Sequence, residues 1–129
     1  MLPKGLTEFI QMPHEGVGKQ FPINRGWFKA SYGEIYVRRT MRRYDSAEYN
    51  LPTFDIANIN IKEDKRGTHV FTDILEELER LLPQHGFKMI YVESIMEPRL
   101  VPFLRSRGYV EVKNADVYSV NMFKMIGEK

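Results

Sequence analysis

The stretch Phe54–Leu82 decides the fold, and it reads FDIANINI, then KEDKRGTH, then VFTDILEELERLL. The first segment, Phe54–Ile61, has the apolar composition of a buried strand. The last, Val70–Leu82, places apolar residues at the i, i+3 and i+4 spacing of an amphipathic helix, which Pro83 ends. The charged segment between them contains one glycine, as turns often do. The sequence therefore predicts a strand, a basic turn and a helix.

The turn between this strand and this helix has the features of an anion site. Thr68 is the predicted N-cap residue, so the free backbone N–H groups of the first helical turn lie at this end. The helix dipole adds about half a positive charge there, and Lys65 and Arg66 add whole charges. An ordinary strand-to-helix turn has the same pattern, so the motif alone does not decide. A phosphate-bearing ligand is the first functional hypothesis.

Composition fits one soluble domain with a single core: the chain has 129 residues, 43% of them hydrophobic and 28% charged. No apolar run approaches the roughly 20 residues of a membrane-spanning helix. Met1–Ile10 does not resemble a signal peptide, so a cytoplasmic location is predicted. The absence of cysteine excludes disulfides, a thiolate nucleophile and cysteine zinc sites. The three histidines form no metal-binding motif, so no metal is predicted.

Residues 1–32 are predicted to form an N-terminal arm, and residues 33–129 a single domain. Glycine and proline are frequent in Met1–Lys29, which indicates a loop-rich segment with at most one short strand or turn near Glu8–Gln11. Aromatic and apolar residues in the arm argue against disorder. They could pack on the core or on a second subunit, so a homodimer is one possibility.

Five segments of the domain have the pattern of strands: Gly33–Asp45, Leu51–Ile61, Lys88–Ile95, Tyr109–Val112 and Asp116–Met125. The first two are predicted to form an antiparallel hairpin. Because a helix intervenes, the second and third should be parallel neighbours. A helix with Pro98 at its first position continues over Arg99–Arg107, is short or kinked because of Pro102, and should end at Gly108. The order β-β-α-β-α-β-β predicts an α/β fold with a sheet of mixed direction.

The first of these strands carries four arginines, Arg38, Arg39, Arg42 and Arg43, which could bind phosphate or RNA. The strand lacks the interleaved aromatic residues and glycines of a nucleic-acid surface, so a solvated face is the simpler interpretation. The net charge of +2 is also small for a dedicated nucleic-acid binder. Nucleic acid is therefore disfavoured as a partner.

Three pieces of the sequence, in this order, resemble the Gcn5-related N-acetyltransferase (GNAT) superfamily. The strand ending at Ile61 and the run Lys65–Phe71 resemble the acyl-CoA motif, Arg/Gln-x-x-Gly-x-Gly/Ala, and the leucine-striped helix follows. Glu97–Tyr109 resembles the family segment Asn-x-x-Ala … Phe-Tyr-x-x-x-Gly-Phe. The chain is similar to small GNAT-like proteins that are common in phages and mobile elements. The resemblance implies a mixed, mostly antiparallel sheet with a central splayed pair of parallel strands, and two main helices.

The resemblance also implies acetyl-CoA as the co-substrate, with its pantetheine arm between the splayed strands. An amine acceptor enters from the other side and attacks the thioester directly, while a backbone N–H near Asn60 or Ile61 stabilises the oxyanion. The acceptor is a small molecule, a protein or a tRNA. The residues implied for cofactor binding are Ile59, Ile61, Lys65, Arg66, Gly67, Thr68, His69, Val70 and Arg99.

Several positions depart from the family pattern. His69 replaces the middle glycine of the motif, and Glu97 replaces an asparagine that bonds the pantetheine. Leu104 replaces the tyrosine that protonates the leaving thiolate, and Asn60 replaces a glutamate base. Asparagine does not accept a proton at neutral pH and could only position a water.

Ionisable substitutes for the missing acid and base are Glu93, Tyr91 and Tyr109. The predicted catalytic set is therefore Asn60, Glu93 and Tyr109. Two hypotheses stay open at this point. One is an acetyl-CoA-dependent N-acetyltransferase, which proximity and oxyanion stabilisation could support. The other is a catalytically inactive GNAT-fold binding module that acts on a protein partner, with or without bound CoA.

Overall fold

The computed structural model describes residues 2–12, 24–43, 50–66, 69–95, 99–112 and 120–127. The helices in these ranges are α1 (Leu6–Gln11), α2 (Val70–Leu81) and α3 (Leu100–Ser106). The strands are β1 (Arg25–Ala30), β2 (Gly33–Arg42), β3 (Leu51–Ile61), β4 (Met89–Ile95), β5 (Val110–Val112) and β6 (Val120–Met125). Short 3₁₀ turns, Glu63–Lys65 and Leu82–His85, lie on either side of α2.

The strands form one six-stranded sheet in the order β1-β2-β3-β4-β6-β5. Every neighbouring pair is antiparallel except β3 and β4, which are parallel. The connection between these two strands runs through α2, as a parallel pair requires. The predicted α/β fold with a mixed, mostly antiparallel sheet is confirmed, together with its hairpin and its parallel pair.

The described helices lie on one side of the sheet, which we call the helix face. α2 buries Val70, Ile74, Leu75 and Leu78 in the core. The sheet contributes Ile35, Val37, Phe54, Ile56, Ile90 and Val92 to the same core. α3 packs beside α2, where the rings of Phe71 and Phe103 are 6.1 Å apart. None of the described helices is long and apolar enough to cross a membrane.

The alternate residues of the strands point to the other side, which we call the open face, since no described helix packs on it. Side chains on the open face include those of Trp27, Tyr36, Arg38, Thr40, Arg42, Asp55, Asn58, Asn60, Tyr91 and Glu93. This face is therefore polar, basic and aromatic, whereas the helix face is apolar.

The first 32 residues are more regular than predicted. They supply α1 and the edge strand β1, so the expectation of a loop-rich arm with at most one short strand or turn near Glu8–Gln11 is wrong. α1 has only six residues, too few for its helical spacing to stand out among the glycines and prolines. Residues 13–23 lie outside the described ranges, and the domain boundary at residue 32 stays a prediction.

The ends of the elements follow the predicted signals. α2 gives way to a 3₁₀ turn that contains Pro83, and Gly86 follows with a φ of 85°. α3 is short and Gly108 follows it with a φ of 95°, which glycine adopts without strain. β6 begins at Val120, and the earlier part of the predicted last strand lies outside the described residues.

Candidate functional site

The parallel strands β3 and β4 separate part-way along their length. They pair over four positions that end at Ile56 opposite Val92. β3 then continues to Ile61 and β4 to Ile95 without further pairing between them. Backbone groups that face each other across this gap lack a partner strand, so they are available to a strand-like ligand.

Two bulges account for the gap. On β3, the register against β2 shifts at Ala57, which has no partner there. On β4, the register against β6 shifts between Val92 and Ile95. A bulge bends its strand and increases the local twist. Both bulges lie where the parallel pairing stops, so the separation is built into the strands.

The end of β3 is held firmly on its other side. Gly33 of β2 pairs with Ile61, the last residue of β3. Gly33 has a φ of 147°, and a Cβ atom at this position would collide with the backbone carbonyl of Asn60. β3 is thus fixed against β2 along this segment, while its β4 side stays open.

One end of the gap lies at the start of α2. The turn after Ile61 is exposed, and Arg66 folds back so that its Nε donates to the carbonyl of Ile61 at 3.0 Å. Gly67 and Thr68 lie outside the described residues. His69 occupies the N-cap position and α2 begins at the next residue, so the prediction of Thr68 as the cap is wrong by one position.

His69 has the backbone conformation of a glycine. Its φ of 64° and ψ of 19° are left-handed, and no other described non-glycine residue has a positive φ. Histidine tolerates this region better than most residues, but an L-residue there loses about 1–2 kcal/mol. The acyl-CoA motif has its middle glycine at this position. The backbone at His69 is therefore one that glycine adopts without strain, at the position where the resemblance places a glycine.

Replacing His69 with glycine is expected to raise the free energy of unfolding by about 1 kcal/mol, because glycine adopts this conformation without strain. Urea unfolding measures the difference. The matched control is Asp73→Gly in the exposed first turn of α2, which should lower stability by about 1 kcal/mol. Equal losses of stability in the two variants would contradict this expectation.

On the open face, Glu93 of β4 lies beside the gap. It directly follows Val92, the last residue of β4 that pairs with β3. Glu93 forms an ion pair with Arg38 of β2. Because β3 lies between β2 and β4, the arginine side chain crosses β3 near its bulge. The side chains of Arg38 and Glu93 are 34% and 20% exposed, so a carboxylate reachable from solvent lies at the mouth of the gap.

A buried carboxylate holds this arrangement in place. Asp55 is fully buried and accepts hydrogen bonds from Thr40 Oγ1 at 2.9 Å, Arg42 Nε at 3.1 Å and Arg42 Nη2 at 2.7 Å. Arg38 Nε lies 3.8 Å from the same carboxylate, and Arg42 lies 3.8 Å from the centre of the Tyr91 ring. Burial opposes the charge of Arg42, but its bonds to Asp55 outweigh this effect and raise its pKa. The negative charge of Asp55 is therefore balanced by the two arginines, and we assign Asp55 a structural role.

Solved structures with the same architecture include acetyltransferases. An acetyltransferase from Thermus thermophilus matches with a TM-score of 0.59 at 18% identity, over 82% of this chain and 67% of that one. A mutant of the toxin AtaT, bound to the C-terminus of the antitoxin AtaR and acetyl-CoA, matches with a TM-score of 0.55 at 13% identity, over 74% and 59%. The PaiA N-acetyltransferase from Thermoplasma acidophilum, in complex with coenzyme A, matches with a TM-score of 0.53 at 14% identity, over 73% and 53%. The chain has the GNAT fold.

The GNAT fold is what these low identities establish. The chain spans about 59% of the length of AtaT. No protein-family model matches the sequence, and no curated protein matches it. These comparisons therefore establish the fold and leave the function of the chain to be inferred from its own residues.

The predicted cofactor-binding residues lie mainly at the α2 end of the gap. Those within the described ranges are Ile59, Ile61, Lys65, Arg66, His69, Val70 and Arg99. Ile59 and Ile61 are half-buried on the helix face, and Val70 is buried at the start of α2. Arg99 is exposed directly before α3, so it belongs to a different part of the GNAT fold. Ile61, Lys65, Arg66, His69 and Val70 thus lie between the end of β3 and the first residue of α2.

Asn60 lies exposed on the open face, opposite Glu34 of β2. An open pocket of about 370 Å³ lies beside it, lined in part by Lys29, Lys62 and Arg66. Asn58 is nearer to the start of the gap, because it directly follows the bulge. Sequence reasoning missed Asn58, since nothing in the sequence marks the position of a bulge.

The third residue of the predicted catalytic set, Tyr109, is not at the gap. It is buried, and its hydroxyl donates to Glu79 of α2 at 2.8 Å. Burial, and then the nearby Glu79, raise its pKa. Lys124 lies over its ring and pairs with Ile90 in the closed part of β4. We therefore assign Tyr109 a packing role instead of the predicted catalytic one.

Proposed function

We propose that this protein is an N-acetyltransferase that moves the acetyl group of acetyl-CoA to an amine by direct attack. The observation that carries the proposal is the gap between β3 and β4, with one end at the N-terminus of α2. The amides of a pantetheine arm can pair with the edge of a strand, and a diphosphate suits a helix N-terminus beside basic residues. An acyl-CoA has these two parts in this order.

Main-chain groups would hold most of the coenzyme. Ile59 and Ile61 would offer backbone groups to the pantetheine arm, and the backbone amides of Arg66 to Val70 would hold the diphosphate. The side chains of Lys65 and Arg66 are exposed and add two positive charges at this end. Arg99 would add a third cation from the start of α3.

The acceptor would approach from the open face, where Glu93 lies at the mouth of the gap. Glu93 takes a proton from the amine, the nitrogen bonds to the carbonyl carbon, and the carbon–sulfur bond breaks. CoA leaves as a thiolate that takes a proton from water. Backbone N–H groups of β3 that face the gap stabilise the oxyanion, and Asn60 positions a water. No protein thioester is needed, in agreement with a chain that has no cysteine.

The structural neighbours support the choice of co-substrate. AtaT has been solved with acetyl-CoA and also with acetyl-methionyl-tRNAfMet, the latter matching this chain with a TM-score of 0.58 at 11% identity over 73% of this chain and 62% of that one. PaiA has been solved with coenzyme A. The molecules bound in these structures favour acetyl-CoA as the co-substrate and do not select an amine for this chain.

Calorimetry with acetyl-CoA, CoA and dephospho-CoA tests the proposal. We expect micromolar affinity for acetyl-CoA and CoA, and weaker affinity for dephospho-CoA because it lacks one phosphate. Gly67→Trp puts a bulky side chain into the segment between β3 and α2 and should abolish binding. Lys65→Gln should weaken binding about threefold or more, whereas the control Lys4→Gln removes the same charge from an exposed residue before α1 and should not. No binding of acetyl-CoA at millimolar concentration would overturn the proposal.

The alternative is a GNAT-fold module that binds a protein partner without turnover. It is favoured by Leu104, which is fully buried and leaves no polar group where the family has its tyrosine acid. Asn60 does not ionise, and Tyr109 is committed to Glu79. Coenzyme binding without release of CoA thiol, tested with polyamines, amino acids, peptides and aminoacyl-tRNA, would favour this alternative.

A further inference from the structure

An aromatic pair lies on the open face, at the edge of the sheet. Trp27 of β1 and Tyr36 of β2 are register partners, and their ring centroids are 5.0 Å apart at an angle of 33°. Trp27 is 52% exposed, although a tryptophan gains more than most residues from burial. We call these two side chains the aromatic shelf.

The aromatic shelf leads to the gap. Tyr36 pairs in turn with Asn58, the residue of β3 that follows the bulge, so Trp27, Tyr36 and Asn58 form one row across the open face. Neighbouring strands are about 4.8 Å apart, which puts Trp27 about 10 Å from β3. A group stacked on Trp27 therefore lies two strands from β3, on the face that leads to the mouth of the gap.

Cations flank the aromatic shelf. β1 carries Arg25, Trp27 and Lys29 at alternate positions on the open face, and both basic side chains are exposed. Arg25 lies directly opposite Arg38, and two like charges in this position destabilise a sheet. Arg38 is paired with Glu93, whereas Arg25 makes no ion pair within the described part of the chain. An anion beside Trp27 would relieve this repulsion.

We propose that the aromatic shelf is the part of the acceptor site that binds a nucleotide, with the base stacked on Trp27 and a phosphate against Arg25. This rests on the proposed function, since it takes the open face as the acceptor side. A flat ring beside free cations is the usual arrangement for binding single-stranded nucleic acid on a sheet. Asp55 and Glu93, two carboxylates near this row, are already paired with arginines. A third carboxylate, Glu34, lies opposite Lys29 in the neighbouring row, so Arg25, on the other side of the row, is the cation that meets the phosphate.

The pairing of β1 with β2 favours nucleic-acid binding more than the sequence of β2 alone does. Along β2 alone, arginines are not interleaved with exposed aromatic residues in the way such surfaces require. Across β1 and β2 they are, because Trp27 pairs with Tyr36 and Arg25 pairs with Arg38. The acceptor class we infer is an amine attached to a nucleotide, either free or at the end of an RNA strand.

Trp27 is the sole tryptophan of the chain, so intrinsic fluorescence reports on the aromatic shelf alone. The protein, saturated with CoA, is titrated with CMP, with a six-residue oligocytidine RNA and with ribose 5-phosphate. We expect saturable quenching by CMP and the RNA, affinity that falls with salt, and no quenching by ribose 5-phosphate, which has no base. If the RNA binds more tightly than CMP, the acceptor nucleotide belongs to the end of an RNA strand. If the two bind equally, the acceptor is a free nucleotide.

Matched variants localise the effect. Trp27→Leu, followed by calorimetry, should weaken binding of the RNA by about 5- to 100-fold. Arg25→Gln should weaken it about threefold or more and reduce the salt dependence, whereas Lys4→Gln, with the same loss of charge in another part of the chain, should change neither. Unchanged melting temperatures establish that the variants fold.

Three results would overturn the proposal. In the first, neither CMP nor the RNA quenches the fluorescence of Trp27. In the second, CoA alone quenches it and the nucleotides cause no further change. In the third, the quenching depends on protein concentration, because a second copy of the chain covers Trp27. The titration is repeated without CoA, so the outcome does not depend on coenzyme binding. If CoA binds and the nucleotides do not, only this inference fails; if CoA does not bind, the proposed function fails separately.

Discussion

Glu93→Gln is expected to lower kcat for acetyl transfer by about 10²–10⁴-fold while leaving the affinity for CoA unchanged. Glu93 is the ionisable member of the predicted catalytic set that the structure brings to the gap. Glutamine has the same shape but does not accept the proton of the attacking amine. Because the coenzyme would contact main-chain groups and the α2 turn, its binding should not require this carboxylate. Release of CoA thiol gives kcat, and calorimetry gives the affinity.

Glu111→Gln is the matched control for Glu93→Gln. Glu111 is also a strand glutamate paired with an arginine, Arg105, but it lies on β5 at the far edge of the sheet. The control should retain full turnover. If Glu93→Gln retained it as well, Glu93 would only anchor Arg38, and catalysis would depend on positioning and oxyanion stabilisation alone.

Arg39→Ala is expected to lower the free energy of unfolding by about 3–5 kcal/mol. Arg39 is 2% exposed, and its guanidinium donates to the carbonyls of Phe9 at 2.7 Å and Met12 at 2.6 Å. It lies between the rings of Phe9 and Phe87, 5.8 and 5.2 Å from their centres. Each hydrogen bond from a charged donor contributes about 1.5–3 kcal/mol, and alanine would leave both carbonyls unsatisfied beside a cavity.

This loss would be a large part of the total stability, which is about 5–15 kcal/mol for a domain. Burial lowers the pKa of Arg39, which reflects the cost of keeping a cation in the core. Urea unfolding of Arg39→Ala and of the control Arg43→Ala measures the effect. Arg43 is exposed, so its variant should change stability by less than about 0.5 kcal/mol. Similar values for the two variants would mean that α1 is not anchored through Arg39.

Local periodicity was sufficient to predict the central unit of the fold. The apolar strand, the leucine stripe of α2, and the breaks at Pro83 and Gly108 depend on residues close in sequence, and they are confirmed. The parallel pair followed from the rule that a helix connects such strands. The same reasoning missed α1 and β1, because short elements among glycines and prolines give weak signals.

The features of the candidate site depend more than those of the fold on contacts between residues that are distant in sequence. The bulge at Ala57 arises from pairing with β2, and alanine itself carries no such signal. The ion pair of Arg38 with Glu93 and the stack of Trp27 on Tyr36 join residues that only the sheet brings together. The cytoplasmic location, the phage relationship and the homodimer stay predictions.

If the proposed coenzyme fills the gap, the separation of β3 from β4 links the lifetime of the protein to that ligand. The chain by itself builds a sheet whose ladder is interrupted in the middle, where most sheets are strongest. A ligand that completes the ladder acts as a seventh strand, and at 100 times its Kd it adds about 2.7 kcal/mol to the stability. Scarcity of acetyl-CoA would therefore expose this protein to proteases before it limited the reaction, and its abundance would track the metabolic state around it.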